Sequence, residues 1–147
     1  MTTRVSYNLK DALLIKEVEL PSESGTRYSE VFDLECIGQR GVRTDPFELL
    51  ITIPELPADV LPNNARVAVS IELCDSPDFT PGTAIIQYGA PNPGDHPWTI
   101  VGIDSNGSPE REFRHRVATD APRYARMKVQ YSGPGAEGHF AAFAIVT

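Results

Sequence analysis

The residues of this chain best suited to chemistry are its three histidines, His96, His115 and His139. Imidazole is the commonest metal ligand and the usual general base near neutral pH. A metal site on a strand face needs ligands at alternate positions, as in His-x-His, completed by a further His and an acid. Here the histidines are 19 and 24 residues apart, and none forms His-x-His. His115 falls between Phe113 and Val117 on an apolar face, the place of a core or interface histidine. Asp104-Ser105-Asn106-Gly107 opens like a calcium loop, but the twelfth position, which must be a bidentate Glu, is His115. The stretch therefore reads as a hairpin turn, with Asn106-Gly107 supplying positive φ. Asp75 and Asp78 in Asp75-Ser76-Pro77-Asp78 likewise read as turn formers. There is no Gly-x-Ser-x-Gly elbow, Cys-His signature or glycine-rich phosphate loop. Nothing selects a pair among the twenty acidic residues for glycoside hydrolysis. The expectation is a protein that is not an enzyme and holds neither metal nor cofactor.

Binding surfaces are the other way side chains do work. Tyr88, Trp98 and Tyr124 could form an aromatic platform for a sugar, against the commoner reading of core packing and strand ends. Arg114, Arg116, Arg123, Arg126 and Lys128 form a basic segment. Residues 110–147 carry six basic and four acidic side chains, a balance of +2, whereas residues 1–109 carry seven and sixteen, a balance of −9. An acidic body with a basic end suits self-association or docking on another protein, or serves solubility. The net charge of −7 argues against nucleic acid, which selects a basic footprint. Arg114 and Arg116 project from one strand face, and Arg123, Arg126 and Lys128 from the next. If those strands were neighbours, like charges would oppose each other at a cost. Either they lie in different sheets or an acidic partner covers them.

Composition sets the elements that carry these residues. The 147 residues suit one domain, and a chain of this size buries about 70% of its unfolded surface without metal or disulfide. Thirteen prolines and eleven glycines favour short elements joined by turns over a helical bundle. Cys36 and Cys74 are too few for a disulfide framework and read as buried free thiols. Met1 to Asn8 has no apolar signal-peptide core. The longest apolar run, Phe140 to Val146, has seven residues, far short of a membrane span. A cytoplasmically made, soluble protein with no membrane partner is expected.

The dominant pattern is period-two alternation, which places apolar side chains on one strand face. It predicts strands over Val31–Cys36, Phe47–Ile53, Arg66–Cys74, Glu110–Val117 and Tyr124–Tyr131. Thr83–Tyr88 and Trp98–Ile103 are short and mostly apolar, and His139–Val146 is apolar on both faces, as a central strand would be. Asp11–Leu20 is ambiguous, helical at Ala12 to Lys16 and alternating from Lys16 to Leu20. Turn-rich stretches at 23–25, 57–64, 91–95, 105–108 and 132–135 separate these runs. About eight antiparallel strands predict an all-β sandwich of jelly-roll type over 17–147, preceded by an N-terminal arm over 1–16.

Three phrases carry a family resemblance: Asn8 to Lys16, Asp75 to Thr80, and Phe113 to Arg126 continuing through Gly133, completed by the C-terminal strand. Together they resemble tailed-phage capsid cement, or head-decoration, proteins of the Bordetella-phage type, over about half the chain. The resemblance implies a jelly-roll that assembles as a homodimer or homotrimer on the outer surface of a virion, bound to the major capsid protein. It brings no catalytic residues. On this reading, interface residues are expected at Tyr7, Leu9, Leu13, Leu14 and Ile15 in the arm, and at Arg114, Arg116, Arg126 and Lys128 in the basic segment. The alternatives are a carbohydrate- or receptor-binding sandwich and a small cupin-like enzyme or hydrolase.

Overall fold

A computed structural model of the chain describes residues 15–33, 47–80, 85–89, 100–102, 106–117 and 122–146. These residues form ten strands and no helix: β1 (Ile15–Glu19), β2 (Gly25–Tyr28), β3 (Phe32–Asp33), β4 (Phe47–Ile53), β5 (Val67–Cys74), β6 (Ile85–Tyr88), β7 (Ile100–Val101), β8 (Arg111–Val117), β9 (Tyr124–Tyr131) and β10 (Phe140–Val146). They build two antiparallel sheets. The first runs β1-β10-β4-β8. The second runs β2-β9-β5-β6, with β3 also on β9 and β7 also on β5.

The outer positions of the second sheet are each divided. Along β9, β2 pairs with residues 128–131 and β3 with 124–125. Along β5, β6 pairs with 71–74 and β7 with 67–68. Ten strands therefore occupy eight positions. The chain is an all-β sandwich, as the alternation predicts. The sequence reading missed β2, because Gly-Thr-Arg-Tyr is exposed throughout and carries no apolar alternation. Ile15 and Lys16 pair with Ala144 and Phe143, so the expected domain boundary at residue 16 falls inside β1, and 15–19 is strand rather than helix. β10 lies between β1 and β4, as its apolar faces suggest.

The core is what the alternating positions of both sheets share. Leu49, Ile51 and Ile53 of β4 and Ala141 and Phe143 of β10 meet Val67, Val69, Ile71 and Leu73 of β5 and Ala125, Met127 and Val129 of β9. Burying each larger aliphatic side chain contributes roughly 1.5–3 kcal/mol. The Phe32 and Phe143 rings, one from each sheet, meet edge-on at 5.1 Å. Tyr131 closes one end of the core. Its hydroxyl donates to the Val60 carbonyl at 2.5 Å and accepts from the Gly135 amide at 2.8 Å. Gly133 lies against the Tyr131 ring so closely that a Cβ there would collide with it.

Asn106-Gly107 does not close a hairpin. β7 belongs to the second sheet and β8 to the first, so the segment between them crosses the sandwich. It is tied instead to residues 56–63. Leu56 and Ser108 form an isolated bridge, the Gly107 amide donates to the Leu61 carbonyl at 2.7 Å, and Asn106 Oδ1 accepts from the Asn63 amide at 2.7 Å. Gly107 alone of the two takes positive φ, at 75°. The dipeptide's turn propensity is local, whereas the sheet that receives the next strand is decided by long-range packing.

Candidate functional site

Register fixes where the basic segment points. Opposed residues of an antiparallel pair share a face. In the first sheet, Leu49 and Ile51 face the core and oppose His115 and Phe113, so Arg114 and Arg116 point outward with Leu50 and Glu48. In the second sheet, Val69 and Ile71 face the core and oppose Val129 and Met127, so Arg126 and Lys128 point outward with Glu72 and Ser70. The two pairs therefore lie on opposite outer faces of the sandwich and form no common patch. Of the two explanations for the like charges, separation into different sheets is the one realised.

The two faces treat their cations differently. Arg126 donates from Nε to Glu72 Oε1 at 2.9 Å, with side-chain exposures of 22% and 10%. Its guanidinium also lies 4.0 Å from the Tyr28 ring centre and 4.2 Å from that of Phe79. Held between two rings and a carboxylate, Arg126 is part of the scaffold. Phe79 reaches this position with a left-handed φ of 49°, in a loop where Ser76 Oγ accepts from the Asp78 amide. Arg123 makes two bonds of 2.9 Å to the Asp33 carboxylate and stacks at 5.1 Å on Tyr124. Lys128 is half-buried beside Ser70 and Tyr28 and makes no ion pair among the described residues. β5 is buried along its whole length, its outward Ala68, Ser70, Glu72 and Cys74 included. Cys74 is a buried free thiol, as expected.

The outer face of the first sheet is less buried than that of the second. Its centre is made of Ala142, Ala144, Leu50 and Thr52, all half-buried, with Phe140 exposed to 47%. Charges stand around this centre: Glu17 and Glu19 on β1, Glu48 on β4, and Glu112, Arg114 and Arg116 on β8. Arg114 donates to Glu48 at 3.1 Å in an exposed pair, and Arg116 makes no ion pair among the described residues. Small residues at the middle of a sheet leave it flat and accessible to a second surface.

His115 points inward from β8 and is buried, with the Tyr88 ring of β6 6.2 Å away. Burial lowers its pKa, so the imidazole is neutral at neutral pH. Tyr88 opposes inward-facing Ile71, whereas Tyr124 opposes outward-facing Cys74, so the two tyrosines stand on opposite faces of the second sheet and share no platform. His139 sits in the turn before β10, its Nδ1 3.3 Å from the Ala136 carbonyl. Tyr7, Leu9, Leu13, Leu14, Cys36, His96 and Trp98 lie outside the described residues, as does the side chain of Ile15.

The sequence reading did not single out Glu72 or Phe79, the partners that absorb Arg126. Glu72 alternates with apolar residues and reads as solvent-facing. Its one distinguishing signal was a position opposite a cation, visible only once β5 and β9 are paired.

No protein-family model matches this chain, and no curated protein sequence does. Among solved structures, the crystal structure of PirA is similar over 90% of this chain and 93% of that one, at 10% identity and a TM-score of 0.40.

Proposed function

We propose that this chain is a structural virion protein: a jelly-roll that binds the outside of a phage capsid through the major capsid protein and stabilises the shell. The sequence phrases that resemble cement proteins support this reading, and so does the strand order. With β2/β3 and β6/β7 each taken as one position, the eight positions run one-eight-three-six over two-seven-four-five. Antiparallel pairing of one with eight, two with seven, three with six and four with five is what a long hairpin makes when it wraps into a jelly-roll.

The observation that carries the functional reading is the outer face of the first sheet. It offers a flat centre of Ala142, Ala144, Leu50 and Thr52, exposed Phe140, and a rim of both charge signs. Such a surface adheres to another protein with little ordering cost, because alanine has no side-chain rotamers to lose. Contacts that are weak per copy add up when many copies bind one lattice. In this reading the N-terminal residues, including Tyr7, Leu9, Leu13 and Leu14, extend the contact as an arm.

The test is cosedimentation of the purified chain with undecorated heads, followed by heating. Bound heads are expected to resist heat better than bare ones. Ala142→Arg should abolish binding while leaving the strand spectrum intact, and deletion of residues 1–10 should weaken it. Heads that ignore the wild-type chain would end this reading.

A further inference from the structure

The outward residues of β8 and the position before it carry Glu110, Glu112, Arg114 and Arg116, all exposed. Read from either end, the run is the same with its signs reversed. Among the described residues, β8 pairs with β4 on one side and terminates the first sheet on the other. We propose that β8 is the seam of a homodimer, in which two copies pair antiparallel, edge to edge, about a two-fold axis at Phe113.

In that register Glu112 of each copy stands opposite Arg114 of the other, and Glu110 opposite Arg116. All the outward pairs are then of opposite charge. An axis at Glu112 would set that carboxylate against its own copy, and an axis at Arg114 would set two guanidinium groups together. An axis between residues would oppose outward with inward side chains and turn one sheet over. The charges thus select a single register. On the inner side, Phe113 meets its copy and Arg111 meets His115. Phe113 is only partly buried against the core in one subunit, so pairing removes apolar surface from water.

Edge strands commonly use charge to repel other edges, and a run of one sign does that. A sign-reversing run attracts its own copy in antiparallel alignment and disfavours other registers. The Glu48 pair does not compete, because the five N–H donors of Arg114 can serve two carboxylates. The result is an eight-stranded sheet whose two outer faces lie side by side. One strand pair covers far less than the roughly 1,600 Å² of a standard stable interface, so the dimer is concentration-dependent. It holds or fails in solution with no shell present, independently of the capsid reading.

Sedimentation velocity on the full chain across micromolar to submillimolar concentration tests the seam. A monomer–dimer equilibrium that weakens with added salt is expected. The variants Glu110→Arg/Glu112→Arg and Arg114→Glu/Arg116→Glu each place like charges at every outward pair, so each alone should self-associate at least tenfold more weakly. Mixed in equal amounts, they should form a heterodimer of wild-type strength. Circular dichroism checks folding, and Glu112→Gln and Arg116→Gln replace any variant that fails it, with weakening again expected. A wild-type chain that stays monomeric overturns the proposal. So does association that the variants leave unchanged, or that the mixture does not restore.

Discussion

The two outer faces of this sandwich put the same residue type to different uses. On the second sheet, Arg126 is enclosed by Glu72, Tyr28 and Phe79. On the first, Arg114 has one exposed carboxylate beside it and Arg116 has no ion-pair partner among the described residues. An outward arginine on a strand is therefore not a surface feature by default. What decides is whether the neighbouring strand brings an acid and whether loops bring rings. The second sheet spends its outward residues on its own stability, and the first leaves them for contact with something else.

Arg126→Ala should separate the faces most sharply. It leaves the Glu72 carboxylate desolvated and removes two ring contacts, a loss of about 2–4 kcal/mol. At this chain length the melting temperature should fall by roughly 6–12 °C by calorimetry. A fall under 2 °C would mean that the ring-and-carboxylate enclosure is not a stabilising unit.

A smaller and pH-dependent effect belongs to His115, at the margin between the sheets. Its folded pKa lies below the ordinary value of 6.5, so the unfolded chain binds the proton more readily. Stability contributed by the neutral, buried ring is present above 6.5 and declines as pH falls from there through the folded pKa. Melting curves should show this decline in the wild type and not in His115→Gln. Equal pH profiles would remove the histidine from the account.

The smallest effect is expected on the outer face of the first sheet. Arg114→Ala breaks an exposed ion pair and should change stability by less than about 1 kcal/mol. If it destabilised the fold as much as Arg126→Ala, the contrast between the faces would collapse.

Much of the fold was legible in local pattern. β4, β5, β8 and β9 follow the alternation of apolar residues, and β10 its uninterrupted apolar run, within a residue or so at each end. β2 was not legible, since an exposed strand needs no alternation. The role of Asn106-Gly107 was not legible either, because crossing to the other sheet depends on distant partners. For the basic segment, like-charge repulsion correctly left two options. Only the pairing of β4 with β8 and of β5 with β9 decides between them. The sign-reversing run on β8 stood in the sequence throughout, but it acquires meaning only when β8 is seen to end a sheet.

The division of both outer positions of the second sheet has one more consequence. A rim broken into pieces of two to four residues offers an incoming chain no long template, so lateral growth is capped there. Among the described residues, uninterrupted rims remain only on the first sheet, at β1 and β8. A building block with one self-matching rim halts at two units, whereas one with two unlike matching rims polymerises into a ribbon.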